Sequence, residues 1–547
     1  MISSDRPVRR DPLAQLRDAV VEAAANVAGM DTTPSGVSVE RPKKAAHGDF
    51  ATNAAMICAP VARDNPRNVA KKISEALAVS LGDSLSGSEV AGPGFLNLRL
   101  TDGWYASALS DVLAAGADFG AGVADSPERI NLEFVSANPT GPMHLGHGRN
   151  AAYGDALARI FEFAGHEVAR EFYINDFGTQ VQIFADSIAA VAKGEDVPEN
   201  GYQGDYIKQL AEQIDGVAGL DREKLGARGV ELMIEQIRHT LERMRVSVDV
   251  WFSEKTLHHD VRFEEALGKL REAGFVYEHD GALWLRTTDL GDDKDRVLRR
   301  GNGEYTYFAT DIAYHQDKRA RGFERLIDVW GADHHGYVAR MKAAYQALGG
   351  DPDHFEPVIM QLVNLTEGGE RVQMSKRAGE FITVDDLLDD IGPDALRFFL
   401  VQRSHDTTMD LDLALAREQS DKNPVYYVQY AHARIASILR KAKEGGAGVP
   451  AKASLPGVEL HESERALVRK LLDFPDEIAE AVARRGPHRL TVYGRDLGAS
   501  FAAFYRDCQV IGEAPDVQDF RLALCSATQQ VLARTLDLVG VTAPESM

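Results

Sequence analysis

The segment from residue 130 to residue 165 passes from a short apolar run, through a loop rich in glycine and proline, into a helical pattern. The run is INLEFVS, and the loop contains PTGPMHLGHGRN at residues 139–150. Apolar residues then recur at three- and four-residue spacing from Tyr153 to Ala164, and Gly165 ends the pattern. This order predicts a strand that leads through the loop to the N-terminus of a helix.

Similar apolar runs recur between residues 128 and 400, where they alternate with helical patterns. EVAREFYIN, RLIDVW and FEPVIMQLVNL are each followed by helix-like periodicity or by a turn. Such alternation is typical of a parallel, doubly wound α/β sheet with a Rossmann-like architecture. Because about 150 residues separate the second run from the third, too many for an ordinary crossover, we expect an insertion at about residues 185–300.

The ends of the chain differ from this α/β region. Residues 1–110 combine an amphipathic helix, the basic turn ERPKKAAHGDFATN and the strand GFLNLRL, which is typical of a small α+β domain. After about residue 405 strand patterns disappear and apolar residues recur at helical spacing. The predicted domains are therefore an α+β domain at 1–110, a Rossmann-like α/β domain at 111–400 and an α-helical bundle at 401–547.

Composition excludes several classes of protein. Lys and Arg number 61 against 83 Asp and Glu, and the net charge of −22 argues against non-specific coating of nucleic acid, although a local basic face remains compatible. No apolar run approaches the roughly 20 residues that span a bilayer, and MISSDRPVRRDP lacks the apolar core of a secretory signal. We therefore expect a cytoplasmic protein. Cys58, Cys508 and Cys525 show no metal-site or disulfide spacing, so no structural metal is predicted.

His144 and His147 stand where the predicted helix begins. A helix N-terminus presents unpaired N–H groups and partial positive charge, which favour a phosphate, and glycines let that phosphate approach the backbone. Two imidazoles at this place could donate hydrogen bonds to a triphosphate as charge builds on it in the transition state. A chance pairing of histidines is one alternative. A zinc site is another, but helical metal pairs favour i, i+4 spacing and no third ligand stands nearby.

Two motifs together resemble the signatures of class I aminoacyl-tRNA synthetases. PTGPMHLGH is similar to the HIGH signature, and VQMSKRAGE at residues 372–380 is similar to the KMSKS signature. The stretches EFVSANPTGPMHLGHGR, TYFATDIAYH, VWGADHHGY, PDALRFFL and YYVQYAHARI resemble the arginyl-tRNA synthetase family in particular. HGDFATNAAM and VAGPGFLNLRL resemble the added N-terminal domain of that family, so the resemblance covers nearly the whole chain.

The resemblance implies an arginine–tRNA ligase. Such an enzyme activates L-arginine with ATP to arginyl-adenylate, releases pyrophosphate, and transfers arginine to the terminal adenosine of tRNA(Arg) with release of AMP. It also implies that bound tRNA is needed for the activation step. No protein nucleophile is required, because positioning and charge stabilisation supply the rate. Mg²⁺ is expected with ATP, the partners are tRNA(Arg), L-arginine and ATP without a membrane, and a monomer is expected.

The resemblance also implies a nucleotide site. The expected catalytic residues are His144, His147 and Lys376. The residues expected to bind ATP are Pro139, Gly141, His144, Gly146, His147, Met374, Ser375 and Lys376. Gln373 replaces the first lysine of the family signature and Arg377 takes its last place, so Lys376 must pair with the pyrophosphate leaving group without that lysine. A surface charge cluster is the alternative for this second motif.

Arginine recognition demands a particular kind of pocket. The guanidinium group is planar and stays protonated, so a selective site must bury a carboxylate opposite it and provide an aromatic or polar wall. Tyr307 and Asp311, four residues apart, supply such a pair. The alternative is that Asp311 caps a helix. The resemblance implies that Asp311 holds the guanidinium.

The same resemblance assigns Glu133 and Asn138 to the α-amino group of the substrate. A carboxylate such as Glu133 within an apolar strand is costly unless it is paired, which favours a functional role. Asp333, with His334 and His335, follows the strand RLIDVW at the edge where ligands collect in parallel sheets. We expect these residues near arginine or the adenosine, with hydrogen-bonded loop residues as the alternative.

Contacts with tRNA are expected at both ends of the chain. The residues expected to bind tRNA are Arg41, Lys43, Lys44, Tyr426, Tyr430 and Arg434. The first three, with His47, would touch the tRNA elbow, and the others, with Arg440 and Arg506, would meet the anticodon region. Each is alternatively a packed or solvated residue. An acidic protein must gather such charges on one face, and binding should weaken with salt.

Two further functions stay open from the sequence. One is a class I synthetase for another amino acid, or a nucleotidylyltransferase that uses HxGH alone, although such simple transferases lack a DALR region. The other is a non-catalytic tRNA-binding paralogue, for which Gln373 is the only indication. His144, His147 and Lys376 argue against this second possibility.

Overall fold

A computed structural model describes residues 11–42, 44–258, 261–372 and 382–547. Several residues that the sequence assigns to ATP or tRNA lie outside these ranges. They are Lys43, Gln373, Met374, Ser375, Lys376 and Arg377.

The N-terminal part is a four-stranded antiparallel sheet with strand order β1-β2-β4-β3 and helices packed beside it. The predicted opening helix is present. It begins because Asp11 accepts hydrogen bonds from two backbone N–H groups and Pro12 occupies the first turn, and it ends at Gly29 in the left-handed conformation. The elements are α1 (Pro12–Ala28), β1 (Val39–Glu40), β2 (Phe50–Thr52), α2 (Ala54–Ala62), α3 (Pro66–Leu81), β3 (Leu85–Ala91), β4 (Phe95–Leu100) and α4 (Asp102–Ala115).

The middle of the chain alternates strands and helices, as predicted. Its elements are β5 (Arg129–Glu133), α5 (Leu145–Ala164), β6 (Glu167–Ile174), α6 (Thr179–Lys193), α7 (Asp205–Gln213), α8 (Arg222–Arg243), β7 (Val250–Ser253), α9 (Lys255–His258), α10 (Val261–Glu272), β8 (Val276–His279), β9 (Ala282–Leu285), β10 (Arg296–Arg299), α11 (Tyr307–Ala320), β11 (Arg325–Gly331), α12 (Val338–Ala347), β12 (Phe355–Met360), β13 (Val363–Glu367), β14 (Glu370–Arg371), α13 (Val384–Val401), β15 (Met409–Asp412) and α14 (Leu413–Arg417).

The main sheet has five parallel strands in the order β12-β11-β5-β6-β7. The chain therefore reverses its direction of winding beside β5, which is where ligands bind in open α/β sheets. The runs INLEFVS, EVAREFYIN and RLIDVW form β5, β6 and β11. The strand β7 was not among the predicted runs, and it lies within the stretch 185–300 that we expected to be an insertion.

The run FEPVIMQLVNL is not one strand, contrary to the prediction. It divides at Gln361 and Leu362 into β12, which joins the main sheet, and β13, which pairs with β14 and β15 in a separate three-stranded sheet. At this break the buried guanidinium of Arg149 donates to the carbonyls of Gln361 at 2.6 Å and Leu362 at 3.3 Å, and the Leu362 carbonyl also accepts from the backbone N–H of Met409 in β15. The expectation that strands disappear after about residue 405 is also wrong at β15.

Two small units lie between β6 and β11. Helices α6, α7 and α8 enclose a separate apolar cluster that includes Phe184, Leu210 and Met233. Further on, a three-stranded antiparallel sheet of order β10-β9-β8 packs with α10 and α11 around Leu267 and Leu298. The described residues of the long stretch between β6 and β11 are thus folded.

The C-terminal part is helical, as predicted. Its helices are α15 (Pro424–Glu444), α16 (Glu462–Leu472), α17 (Phe474–Ala483), α18 (His488–Asp507) and α19 (Pro515–Leu538). The run PDALRFFL lies before this bundle, in the second half of α13 after a kink at Gly392 and Pro393. One buried core continues from the N-terminal part through the main sheet into the bundle. Within the described ranges no helix is both long and apolar enough to cross a membrane.

Candidate active site

The two histidines of the first motif lie at the N-terminus of α5. Nδ1 of His144 accepts hydrogen bonds from the backbone N–H groups of Gly146 at 3.1 Å and His147 at 3.4 Å. Nδ1 of His147 accepts in return from the backbone N–H of His144 at 3.4 Å. The pair therefore caps the helix reciprocally, which a Ser–Glu pair does in other helices. The strand, loop and helix order predicted from the sequence is confirmed.

The capping hydrogen bonds determine which nitrogen of each imidazole carries the ring proton. The rings are stacked with centroids 3.6 Å apart and an angle of 17° between their planes. Because Nδ1 of each neutral ring accepts a hydrogen bond, the ring proton resides on Nε2, which is then a donor. A side chain at Gly146 would stand 3.1 Å from the His144 ring, so this glycine keeps the stack open. The arrangement supplies two donors beside the partial positive charge of a helix N-terminus.

A strained turn connects β5 to this helix. Val135 and Ser136 have φ values of 71° and 38°, the left-handed region that a β-branched residue seldom adopts. The Ser136 hydroxyl holds the turn by donating to the Glu133 carboxylate at 2.7 Å and accepting from the Tyr173 backbone N–H at 3.1 Å. Strain concentrated at the carboxyl end of a central strand is typical of a functional site.

The remaining predicted residues of the loop differ in exposure. Asn138 is exposed, whereas Pro139 is buried. Gly141 lies against the ring of Tyr206, whose hydroxyl donates to the Thr140 carbonyl at 3.0 Å. The loop is therefore anchored on one side by α7 and on the other by β5.

A cavity of about 300 Å³ opens beside the loop, at the carboxyl ends of β5, β6 and β11. Its lining combines acidic groups with aromatic rings. The lining residues are Glu133, Tyr173, Tyr307, Asp311, Tyr314, His315, Asp328, Trp330, His334 and Tyr337. The cavity thus brings together three of the residues that the sequence assigned to arginine, namely Glu133, Tyr307 and Asp311. Asn138 and Asp333 do not line it.

Asp311 is the half-buried carboxylate of this cavity. It does not cap a helix, because Thr306 caps α11. Its carboxylate accepts a hydrogen bond from the hydroxyl of Tyr337, and it forms no ion pair with any residue the structure describes. Burial raises the pKa of Asp311 to about 6, and the nearby charges of Glu133 and Glu254 act in the same direction, against the Tyr337 hydrogen bond and His315. A cationic ligand would offset that cost.

Glu133 has internal partners instead. Its carboxylate accepts from the ammonium of Lys318 at 2.6 Å, as well as from Ser136. The same ammonium donates to Asp328 at 2.8 Å, and His315 contacts the other oxygen of Asp328 at 2.8 Å. Sequence reasoning missed Lys318, His315 and Asp328. Only Asp328 had a signal in the sequence, because it interrupts the apolar run RLIDVW as Glu133 interrupts INLEFVS.

Aromatic rings form the walls of the cavity. Tyr173 and Tyr314 pack with centroids 4.7 Å apart, and the Tyr314 hydroxyl donates to the buried Glu171 at 2.7 Å. Trp330 and Tyr337 pack edge to face at 6.0 Å. Tyr307 lies at the rim and is 61% exposed. Flat aromatic walls around a carboxylate suit a planar cation.

A second large concavity, of about 750 Å³, lies on the helical bundle. Tyr430 lines it, with its ring parallel to that of Tyr426 at 6.2 Å, although Tyr426 itself is not in the lining. The guanidinium of Arg434 lies 5.1 Å from the Tyr430 ring centre and 5.3 Å from that of Tyr505. The groove also contains Arg440, Lys441 and Arg506. Its lining thus combines aromatic rings with cations.

The residues of the basic turn near the N-terminus differ from one another in their contacts. Arg41 forms an ion pair with Asp473 at 2.7 Å and also donates to the Arg469 carbonyl, so its charge joins the N-terminal part to α16 and α17. Lys44 and His47 are exposed.

Asp333 is exposed at the surface, 3.6 Å from His334.

Comparison with known families divides the chain into three parts. Residues 14–100 match the arginyl-tRNA synthetase N-terminal domain. Residues 108–210 and 217–412 match the catalytic domain of class I (R) tRNA synthetases. Residues 428–547 match the DALR anticodon binding domain.

Individual proteins agree with this division. Arginine–tRNA ligase of Heliobacterium modesticaldum is 46% identical, with 96% of this chain and 97% of that protein aligned. Arginine–tRNA ligase of Desulfitobacterium hafniense is 45% identical over 98% of each chain. The structure of Thermus thermophilus arginyl-tRNA synthetase superposes with a TM-score of 0.77 at 26% identity, covering 97% of this chain and all of that one. This chain therefore belongs to the arginyl-tRNA synthetase family of class I aminoacyl-tRNA synthetases.

Proposed function

We propose that this arginine–tRNA ligase forms arginyl-adenylate in the cavity beside the stacked histidines. The observation that carries the proposal is the state of Asp311: a half-buried carboxylate, between aromatic walls, without a cationic partner among the described residues. A guanidinium satisfies this carboxylate by charge and by shape. Selection of arginine over uncharged amino acids then follows from the cost of leaving Asp311 unpaired.

The histidine pair would act on ATP. The α-carboxylate oxygen of arginine attacks the α-phosphorus, the bond to the bridging oxygen breaks, and pyrophosphate leaves. The Nε2 donors of His144 and His147 stabilise the negative charge that grows on the phosphate oxygens. Pro139, Gly141 and Gly146 would let the nucleotide approach the backbone of the loop. In the second step the terminal ribose hydroxyl of tRNA attacks the arginyl carbonyl, and AMP leaves.

Mg²⁺ would accompany ATP. The described residues contain no group of three or more acidic, histidine or cysteine side chains that could hold a metal by themselves. This donor set fits a magnesium ion carried mainly by phosphate oxygens and water. Bound in this way, the ion would supply charge neutralisation for the leaving pyrophosphate.

The second signature would complete the nucleotide site through Met374, Ser375 and Lys376, which lie outside the described residues. The residues that follow it support this assignment. Thr383 forms a β-bridge with His144, and the backbone N–H of Val384 donates to the Met143 carbonyl at 2.8 Å. The chain thus returns from the second signature directly beside the first.

The substrate amino group would be held by Glu133 and Asn138, with Tyr307 at the rim and Asp333 near the ligand. The support for Glu133 is its place in the cavity wall. A carboxylate oxygen has two lone pairs, so the hydrogen bonds from Lys318 and Ser136 leave acceptor capacity for an ammonium.

For tRNA we propose contacts from both terminal parts, with residues 1–110 as a tRNA-binding domain, 111–400 as the catalytic domain with its insertion at about 185–300, and 401–547 as the anticodon-binding domain. The groove that contains Tyr430 and Arg434 supports the last assignment, because bases stack on such rings. Arg41, Lys43, Lys44 and Tyr426 complete the proposed contacts.

A cytoplasmic location and a monomeric state also belong to this proposal. The three cysteines are free and buried, which fits a reducing compartment. Light scattering after size-exclusion chromatography tests the monomer.

The experiment is tRNA charging with ATP and each of the twenty amino acids, followed by arginine kinetics on Asp311→Asn. Arginine alone should be charged, and the substitution should raise the KM for arginine by about 30-fold or more, since loss of one partner of a buried charged pair costs roughly 2–5 kcal/mol. Asp353→Asn, an exposed carboxylate at the amino end of β12, serves as the control. Charging of another amino acid, or an unchanged KM in Asp311→Asn, would reject the proposal.

A further inference from the structure

The cavity that holds Asp311 contains two more carboxylates, and these already have cations of their own. Glu133 and Asp328 project from the neighbouring strands β5 and β11 and are 7% and 0% exposed. Carboxylates so buried are tolerated only with compensating charge and hydrogen bonds. The structure provides this compensation from a single helix, α11.

Lys318 bridges the two carboxylates. Its ammonium is fully buried and donates to Glu133 at 2.6 Å and to Asp328 at 2.8 Å, while its third side faces the ring of Tyr314 at 4.4 Å. Lysine has three donors and no acceptor, so these three contacts satisfy the group completely. Because its side chain is fully buried, Lys318 contributes no charge to the protein surface. It is also not among the site residues predicted from the sequence.

His315 adds a second internal partner for Asp328. Its Nδ1 faces the backbone carbonyl of Asp311 at 2.7 Å, and its Nε2 faces the carboxylate of Asp328 at 2.8 Å. Behind the wall, Glu171 has its own cation in Arg321 at 2.7 Å, and Glu254 contacts His258 at 3.3 Å.

The three carboxylates of the cavity therefore differ in their partners. Glu133 and Asp328 share the ammonium of Lys318, and Asp328 also faces His315, whereas Asp311 has only a hydroxyl partner among the described residues. We propose that Lys318 is a specificity-determining positioning residue: it neutralises Glu133 and Asp328 from inside the wall, so that Asp311 is the one carboxylate left to select a guanidinium. This inference rests on the proposed role of Asp311 in arginine binding.

The spacing of three residues along α11 explains how one helix supplies both the free carboxylate and the partners of Glu133 and Asp328. Asp311, His315 and Lys318 are separated by four and three residues, so they lie on the same helical face toward β5 and β11. Without the ammonium, the space between Glu133 and Asp328 would attract a cation more strongly than Asp311 does. Arginine would then bind in the wrong position, and a side chain that ends in an ammonium could occupy the vacated place.

The test is a double-mutant cycle in the full-length enzyme with tRNA. Lys318→Gln keeps a donor but removes the charge, Asp328→Asn removes one carboxylate, and the double variant restores the net charge of the cavity. We expect kcat/KM for arginine to fall by at least about tenfold in each single variant and to return to within about threefold of wild type in the double variant. The KM for ATP should stay within about twofold throughout.

Arg319→Gln is the matched control. Arg319 follows Lys318 directly in α11. Its guanidinium donates hydrogen bonds to the carbonyls of Leu348 at 2.6 Å and Gly349 at 3.0 Å, outside the cavity. This control should lose stability without a change in kcat/KM for arginine. Lys318→Gln should also charge lysine measurably, whereas Arg319→Gln should not.

The outcomes separate the two ideas. A normal kcat/KM for arginine in either single variant, or single variants that do not recover in the double, overturns the role of Lys318. Recovery in the double without any charging of lysine by Lys318→Gln is what a purely structural ion pair would give. A normal KM in Asp311→Asn measured alongside overturns the role of Asp311 instead. If Lys318→Gln does not fold, Asp328→Asn still decides, because its cavity has lost a negative charge while Lys318 remains.

Discussion

Arg397 donates a hydrogen bond to Asp155 at 2.6 Å, and both side chains are completely buried. Asp155 belongs to α5, the helix that begins at the histidine pair, and Arg397 belongs to α13. The same guanidinium binds the carbonyls of Met244 at 2.8 Å and Val539 at 3.1 Å, at the ends of α8 and α19. One side chain of the PDALRFFL run therefore joins α5 to the last helix of the bundle.

Gly540 makes this junction testable without touching either charge. It has a φ of 71°, and a β-carbon at this position would overlap the guanidinium of Arg397. We expect Gly540→Ala to lower the free energy of unfolding by about 3–5 kcal/mol, the scale of a broken buried ion pair, as measured in urea. Gly194→Ala is the control, since its φ is 72° with nothing within 4 Å. Equal losses in the two variants would show that backbone strain, not Arg397, is responsible.

Asp311 should lower the stability of the free enzyme. Burial raises its pKa from a usual value near 3.8 to about 6, so the folded protein holds this proton more tightly than the unfolded chain does. The stabilising contribution of the protonated carboxyl is complete below about pH 4 and is lost as the pH rises through 6. The free energy of unfolding of Asp311→Asn should therefore be about 3 kcal/mol higher than that of wild type near pH 7.5.

The difference between wild type and Asp311→Asn should shrink near pH 5, where Asp311 is largely protonated. Arginine at about 10 mM should raise the unfolding temperature of wild type but not of the variant, because binding stabilises only the folded state that binds it. A variant that is less stable than wild type at both pH values would contradict the raised pKa.

Arginine utilisation should depend on pH through the same carboxyl. The guanidinium stays protonated, so only the ionised form of Asp311 attracts it. We expect kcat/KM for arginine to fall about tenfold per pH unit below pH 6, since this parameter reports the free enzyme. The KM for ATP should lack this step, and so should Asp311→Asn. A profile for arginine that is flat to pH 5 would place the selective carboxylate elsewhere.

Local patterns predicted helix α5, whereas the hydrogen-bond partners inside the cavity depend on contacts between residues that are distant in the sequence. The periodicity from Tyr153 to Ala164 and the glycine at its end lie within one helix, so the sequence contains the whole signal. Lys318 shows no such signal, because its partners Glu133 and Asp328 come from two strands that become neighbours only in the folded sheet. The hydroxyl that binds Asp311 likewise comes from the segment after β11.

The break in FEPVIMQLVNL shows the same limit. Seven apolar residues in this run favour one strand, and yet it divides at Gln361 and Leu362, whose carbonyls bind Arg149 of α5 from 212 and 213 residues away in the chain. Of the residues predicted to bind arginine, Glu133, Tyr307 and Asp311 line one cavity. Asn138 and Asp333, chosen from their loops, stand outside its wall.

His147 should matter for the transition state rather than for binding of arginine. We expect His147→Asn to lower kcat for tRNA-dependent ATP–pyrophosphate exchange by about 10²–10³, the usual effect of removing one such donor. Asparagine offers an acceptor for the His144 backbone N–H and so retains the reciprocal cap. His239→Asn, an exposed helical histidine, should exchange normally. Normal exchange in His147→Asn would remove the electrostatic role of this ring.

Tyr430 and Tyr426 offer a matched pair for the tRNA contact. Both lie on α15 with parallel rings, but only Tyr430, which is 40% exposed, lines the groove with Arg434. Because stacking of one base on an aromatic ring contributes roughly 1–3 kcal/mol, Tyr430→Ala should raise the KM for tRNA by about 5- to 100-fold.

Tyr426→Ala should have a smaller effect, and the KM for arginine should change in neither variant, since the groove is on the bundle and not on the main sheet. Measuring the KM for tRNA at several salt concentrations separates stacking from charge. Loss of a ring leaves the salt dependence unchanged, whereas Arg434→Gln should reduce its slope by about one phosphate contact. If Tyr426→Ala is the more damaging variant, the bases meet this helix along a different face, and the groove beside Arg434 is not where the anticodon binds.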